Sequence, residues 1–292
     1  MDPLVFGLIA VAAVLHVTWN VLVKTSGDPL RAASVGMALG AVVLTPIAIV
    51  GWFAIGQPAI PPEAVALGLG SGVFEAIYVV VLSAAYRHGD LSIVYPLARG
   101  TATLLAVAIG IAIIGERPGP LGLAGIAALL VGFFWLQRPW RLLADAARGR
   151  GIDRGVGLAL LCGVMIATYS AIDRVGTRLT EPWLYGAILW AASAVVLSVL
   201  VAVRMSPAAL VPREPRIVAG GLIMVAQYMA VLFALSIAPL TAVAPLRESA
   251  IVLASGWGAI RLAEAAGRRE AAARIAAASL IVFGAVLLGL DG

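Results

Sequence analysis

Thr18-Trp19-Asn20, followed by Lys24, closes the first apolar segment of this chain, and Thr168-Tyr169-Ser170, followed by Arg174, closes the sixth. The two stretches stand 150 residues apart. The echo continues outward: Tyr78 is answered by Tyr228, and Pro96-Leu97 by Pro245-Leu246. Apolar segments lie near residues 4–24, 30–53, 63–86, 91–113, 119–136, 153–174, 182–204, 215–237, 241–262 and 271–290. Each is about 20 residues, the length a helix needs to cross the hydrocarbon core. Five spans per half have a physical consequence. If the first copy starts on one side of the membrane, the second must start on the other. The expected fold is therefore an all-α integral membrane protein, with ten transmembrane helices arranged as two inverted five-helix repeats around a central cavity. The first repeat covers residues 1–137, a cytoplasmic linker 138–152, and the second repeat 153–292.

Composition agrees with that reading. Of 292 residues, 62% are hydrophobic and 12% charged, with a mean hydropathy of +1.04. Soluble domains carry about 25% charged residues. The single cysteine, Cys162, lies mid-span, where it reads as a small apolar residue. One cysteine and two histidines offer no zinc cluster, and no other metal or cofactor is expected. Residues 1–24 lack the basic start of a secretory signal and read as a permanent span.

The net charge of +5 is explained by topology and not by a nucleic-acid partner. The odd-numbered connections hold fifteen basic residues, Lys24 and Arg31 among them. The even-numbered side holds three, Arg117, Arg174 and Arg178. This bias puts the odd connections in the cytoplasm and both termini outside, in a bacterial inner membrane. In the linker, Trp140, Leu142 and Leu143 stand among Arg138, Arg141 and Arg148. They form either a short interfacial helix or a solvated connection.

From Ala84 to Phe134 the chain runs from a span ending near Tyr86, through Gly89, into a helix opening with Tyr95-Pro96-Leu97. That helix closes at Gly115-Glu116-Arg117, and a span with Gly122, Gly125 and Gly132 follows. This order resembles the repeat of the EamA-type drug/metabolite transporter superfamily, whose ten-span members export metabolites and amino acids. The second copy departs from it, with Ala263-Glu264 in place of Gly115-Glu116 and no arginine after it. The four-span multidrug members carry a cation-binding glutamate in the first span. Here that span offers His16 and Asn20 instead, which argues against an obligate cation-drug antiporter. The resemblance implies export as the direction of flux.

Charges inside a bilayer cost about 2.5–3.5 kcal/mol each on insertion scales, so they face a cavity or a partner. His16, Glu75, Arg99, Arg247 and Glu248 stand within spans. His16, Trp19 and Asn20 share one helix face, as do Glu75 with Tyr78 and Tyr95 with Arg99. Gln227 and adjacent Tyr228 point different ways, as do Arg247 and Glu248, about 100° apart and so poorly placed to pair. With Tyr169, these side chains make a polar, aromatic-rich lining suited to a small zwitterion. Arg99 or Arg247 would hold a carboxylate in two parallel hydrogen bonds, while Glu75 and the aromatic rings would receive the ammonium and side chain. The competing reading makes these charges structural salt bridges, Glu75 with Arg99 and Arg247 with Glu248 or cross pairs of them, and His16 a polar residue in a helix interface. Pro96 and Pro245 sit at matched places early in their helices and read as hinges of two opposed gates, or as prolines merely tolerated there. Gly68, Gly72, Gly122 and Gly132 allow close helix approach.

The function expected is a secondary carrier, working as a monomer and exporting small metabolites, foremost amino acids including aromatic or apolar ones. An exporter or uptake carrier for other metabolites or drugs, a channel and a membrane enzyme are the alternatives. No filter sequence, nucleophile elbow, HExxH motif or nucleotide-binding loop supports the last two.

Overall fold

The computed structural model describes residues 1–24, 28–88, 91–137, 154–212, 214–248 and 268–291, except the side chains of 20, 21, 23, 24, 91–93, 96, 136, 137 and 268–275. The linker 138–152, the end of the ninth segment and Ala263-Glu264 lie outside the described residues. All regular structure among the described residues is helical. In chain order the helices are α1 (Pro3–Lys24), α2 (Pro29–Ala54), α3 (Pro62–His88), α4 (Leu91–Ile109), α5 (Pro120–Gln137), α6 (Arg154–Gly176), α7 (Pro182–Arg204), α8 (Pro215–Ile237), α9 (residues 240–248) and α10 (Arg268–Leu290).

Local signals set the boundaries. Pro29, Pro182 and Pro215 open α2, α7 and α8, where a missing N–H costs nothing. The Asp28 carboxylate accepts the Arg31 amide at 2.9 Å and caps α2. After Ile109, α4 widens into one π-turn, Gly110–Ile114, and stops at Gly115 with φ +78. Only glycine adopts that left-handed conformation at little cost.

Among the described residues, six helices are long and apolar enough to cross a membrane: Pro29–Ala54, Pro62–His88, Leu97–Ile114, Arg154–Gly176, Pro182–Arg204 and Pro215–Ile237. Shorter apolar stretches cover Pro3–Trp19, Pro120–Trp135 and Ala276–Leu290. Outward faces are apolar too. Val42, Ile47 and Val50 on α2, Val195, Val199 and Val203 on α7, and Val282, Phe283 and Val286 on α10 are all exposed. Continuous apolar outer faces of this size would be insoluble in water and suit a lipid surround. The chain is a helical, membrane-embedded protein.

The helices do not pack half by half. The closest pairs are α3–α6, α5–α10, α1–α8, α4–α6, α2–α7, α3–α7 and α2–α8, and each joins the first five helices to the last five. Small residues permit this closeness. A Cβ on Gly221 of α8 would stand 2.7 Å from the Gly36 Cα of α2, so only hydrogen fits on both. Gly72 on α3 faces the Leu189 carbonyl of α7, and Gly132 on α5 faces Ile281 of α10. Such contacts supply the dispersion energy that holds helices together in lipid, where apolar burial gives no drive.

Candidate functional site

Four helices bring a basic group together. Arg99 on α4 is buried, and its Nη1 donates to Glu248 Oε1 on α9 at 2.9 Å. Arg247 Nε donates to the same oxygen at 3.1 Å. The helix geometry argues against a simple Arg247–Glu248 pair, while the competing reading makes them a structural salt bridge, and it is the salt bridge that forms. Their backbone directions diverge, but the long arginine stem bends back, and a carboxylate shared with Arg99 draws it in. Arg99 Nη2 also meets His16 Nε2 on α1 at 2.7 Å. A guanidinium has only hydrogens to offer, so Nε2 accepts and the imidazole carries its proton on Nδ1. Gln227 on α8 hydrogen-bonds the same imidazole. The Arg99 guanidinium lies 5.5 Å from the Tyr95 ring centre, a cation–π distance. Trp19 packs edge-on to His16 at 5.3 Å between ring centres. Its indole N–H is buried with no hydrogen-bond partner among the described residues. Two guanidiniums on one carboxylate leave this group with an excess positive charge and an excess of donors.

A second group is acidic, and the sequence reading missed its main member. Asp173 on α6 is fully buried and accepts three hydroxyls. Ser71 on α3 reaches Oδ1 at 2.5 Å and Tyr185 on α7 reaches it at 2.8 Å, while Tyr228 on α8 donates to Oδ2. Glu75, one turn beyond Ser71, accepts Ser193 of α7 at 3.0 Å. Neither Glu75 nor Asp173 makes an ion pair among the described residues, so Glu75 is not the salt-bridge partner of Arg99. Asp173 could have been found from its spacing. It lies four residues after Tyr169 and so shares that tyrosine's face of α6.

Tyrosine rings join the two groups. Tyr169 stands 6.0 Å from Tyr78 on α3 and 6.0 Å from Tyr228 on α8, centre to centre. It lies in the electrostatic field of Arg99 and Arg247 and also of Glu75. Tyr78, Tyr169 and Tyr228 thus form a run of ring contacts, and Tyr228 donates to Asp173 at its acidic end. The Asn20 and Pro96 side chains fall outside the described residues, and α4 runs through Pro96 without a break. Pro245 is buried within α9, which is continuous helix over residues 240–248.

The third cluster was not anticipated either. Arg174 closes α6 buried, although its place at the end of the segment assigns it to a connection. Its Nε pairs with Glu116 Oε1 at 3.1 Å and its Nη1 donates to the Leu235 carbonyl at 2.5 Å.

No protein-family profile matches the chain, and no curated protein matches it. One solved crystal structure, of a protein described without a function, superposes on 98% of this chain and 96% of its own. The TM-score is 0.70 at 21% sequence identity. The chain therefore shares its helical fold with that protein.

Proposed function

We propose that the protein is a secondary carrier for small zwitterions, foremost amino acids, built from two inverted five-helix repeats and working by alternating access. The observation that carries this reading is the division of the buried polar residues. Arg99 and Arg247 share one carboxylate, which leaves charge and donors for a second. Across the tyrosines, Glu75 and Asp173 offer acceptors to an ammonium. An amino acid carries both a carboxylate and an ammonium, and the aromatic faces nearby accept an apolar side chain.

The packing supports the repeat. Number the helices so that α1 to α5 exchange with α6 to α10. The α1–α8 pair then becomes α6–α3, and α2–α8 becomes α7–α3, while α2–α7 and α5–α10 map onto themselves. All of these are close pairs. That is the contact pattern expected of two like units related by a two-fold axis, and the odd number of spans per unit is what would lay that axis in the membrane plane. With the basic residues biased to the odd-numbered connections, the termini are placed outside. The resemblance to EamA-type carriers adds export as the direction.

Counterflow in proteoliposomes tests the function. Protein loaded with one amino acid should accelerate uptake of the same labelled amino acid, with saturation. Flux rising linearly with gradient, or no flux for any amino acid, would overturn the reading. Arg99→Gln and Arg247→Gln should each lower counterflow of carboxylated substrates by about tenfold, the loss of a charge-assisted contact. Unchanged rates in both, with normal folding, would remove the arginines from binding.

A further inference from the structure

The Glu116 carboxylate, just past the left-handed Gly115, makes three contacts that all cross from the first half of the chain to the second. Its Oε1 accepts the Leu240 amide at 2.7 Å and its Oε2 the Thr241 amide at 2.8 Å. These are first-turn amides of α9, which have no partner within their own helix. Oε1 also pairs with Arg174 Nε at 3.1 Å. Arg174 in turn holds the Leu235 carbonyl in the last turn of α8. A single ion pair thus bridges the negative end of α8 and the positive end of α9, and ties both to α6 and to the end of α4. The bend that aims Glu116 is itself fixed. Its amide returns to the Gly110 carbonyl at 2.9 Å, and Gly110 sits against Thr241 with no room for a side chain.

We propose that Arg174 and Glu116 form a latch that holds this end of the bundle shut and parts when the end opens. The inference rests on the carrier reading, which requires one end to open in each cycle. Three observations favour a latch over a permanent brace. The three bonds of the Glu116 carboxylate all join the first half to the second, so one relative movement breaks them together. The Thr241 hydroxyl at the same point is buried without a partner among the described residues, a cost that water would relieve on opening. The helix leading to Glu116 ends in a π-turn, a feature concentrated at functional places. The latch is also connected to the binding residues. Asp173 and Arg174 are neighbours on α6, one bonded to the tyrosine cluster and the other to Glu116. Arg99 lies on the same helix as Gly110, about 16 Å along its axis.

The test uses full-length protein in liposomes with Cys162→Ala and a reporter cysteine, Thr241→Cys, at a position now fully buried. A membrane-impermeant maleimide should label it slowly while the latch is intact. Glu116→Gln and Arg174→Gln should each raise the labelling rate by about tenfold, as expected from losing a bond to a charged group. The double variant should add little more, because either change opens the same latch. A second reporter, Val94→Cys, is buried at the opposite end of α4 and should label no faster in any variant. Arg174→Lys provides a milder change should the glutamine variants fold poorly. Equal labelling of Thr241→Cys with and without the latch would overturn the proposal. So would a matching rise at Val94→Cys, which would show general loosening. Counterflow by the wild-type protein stands apart from these rates, so failure of the carrier reading would be seen separately.

Discussion

Asp173 satisfies three buried hydroxyls with one carboxylate, so its removal has an effect beyond its own charge. Asp173→Ala should leave Ser71, Tyr185 and Tyr228 searching for acceptors in a fully buried place. Each unsatisfied hydroxyl costs about 1–3 kcal/mol. Thermal unfolding in detergent should show a large fall for Asp173→Ala and a smaller one for Asp173→Asn, which keeps one acceptor oxygen. Equal melting temperatures for the two variants would mean the hydroxyls find water instead. At this scale the sequence was informative about which residue types lie inside and less so about their partners. Charges within apolar runs marked Glu75, Arg99, Arg247 and Glu248 at once. Pairing was harder, because side-chain reach decides it. Arg247 and Glu248 diverge at the backbone and still meet, while Arg99 chooses Glu248, 149 residues away, over Glu75. Asp173 escaped notice because it stands beside Arg174 at the end of a segment, where a charge is ordinary.

Helix contacts depend on a few positions with no side chain. Gly36 and Gly221 bring the backbones of α2 and α8 together, so a Cβ on either meets main chain and cannot be absorbed by a rotamer change. Gly221→Leu should separate these helices and abolish monodisperse protein by size exclusion. Gly7→Leu on α1 meets open space and should be tolerated, so the pair controls for added bulk. Equal behaviour of the two would show that α2 and α8 are free to slide apart. Element boundaries were readable because prolines, glycines and charges punctuate the apolar runs. The expected 215–237 and 182–204 match α8 and α7 residue for residue. The π-turn at Gly110–Ile114 had no such mark, since its five residues are all compatible with an ordinary α-helix.

For the molecule as a whole, the 150-residue echo pointed to two units, and the helices of those units interleave instead of standing apart. A hydropathy pattern could not have shown this. It reports which residues avoid water and says nothing of which apolar face meets which. The orientation read from basic residues has its own check. Reporter enzymes fused at either end should be active only outside the cytoplasm, and cytoplasmic activity at both would reverse the assignment. One contact carries that further. The Met1 amino group donates to the Gly289 carbonyl at 2.9 Å, so the start of α1 and the end of α10 touch. A short linker from 291 to 1 could then join them, with new ends opened inside 138–152. Such a circular permutant would be synthesised second half first, with its new ends at the junction of the two halves. If it still assembled and transported, biosynthetic order would have no part in specifying the structure, and either half could lead the other into the membrane.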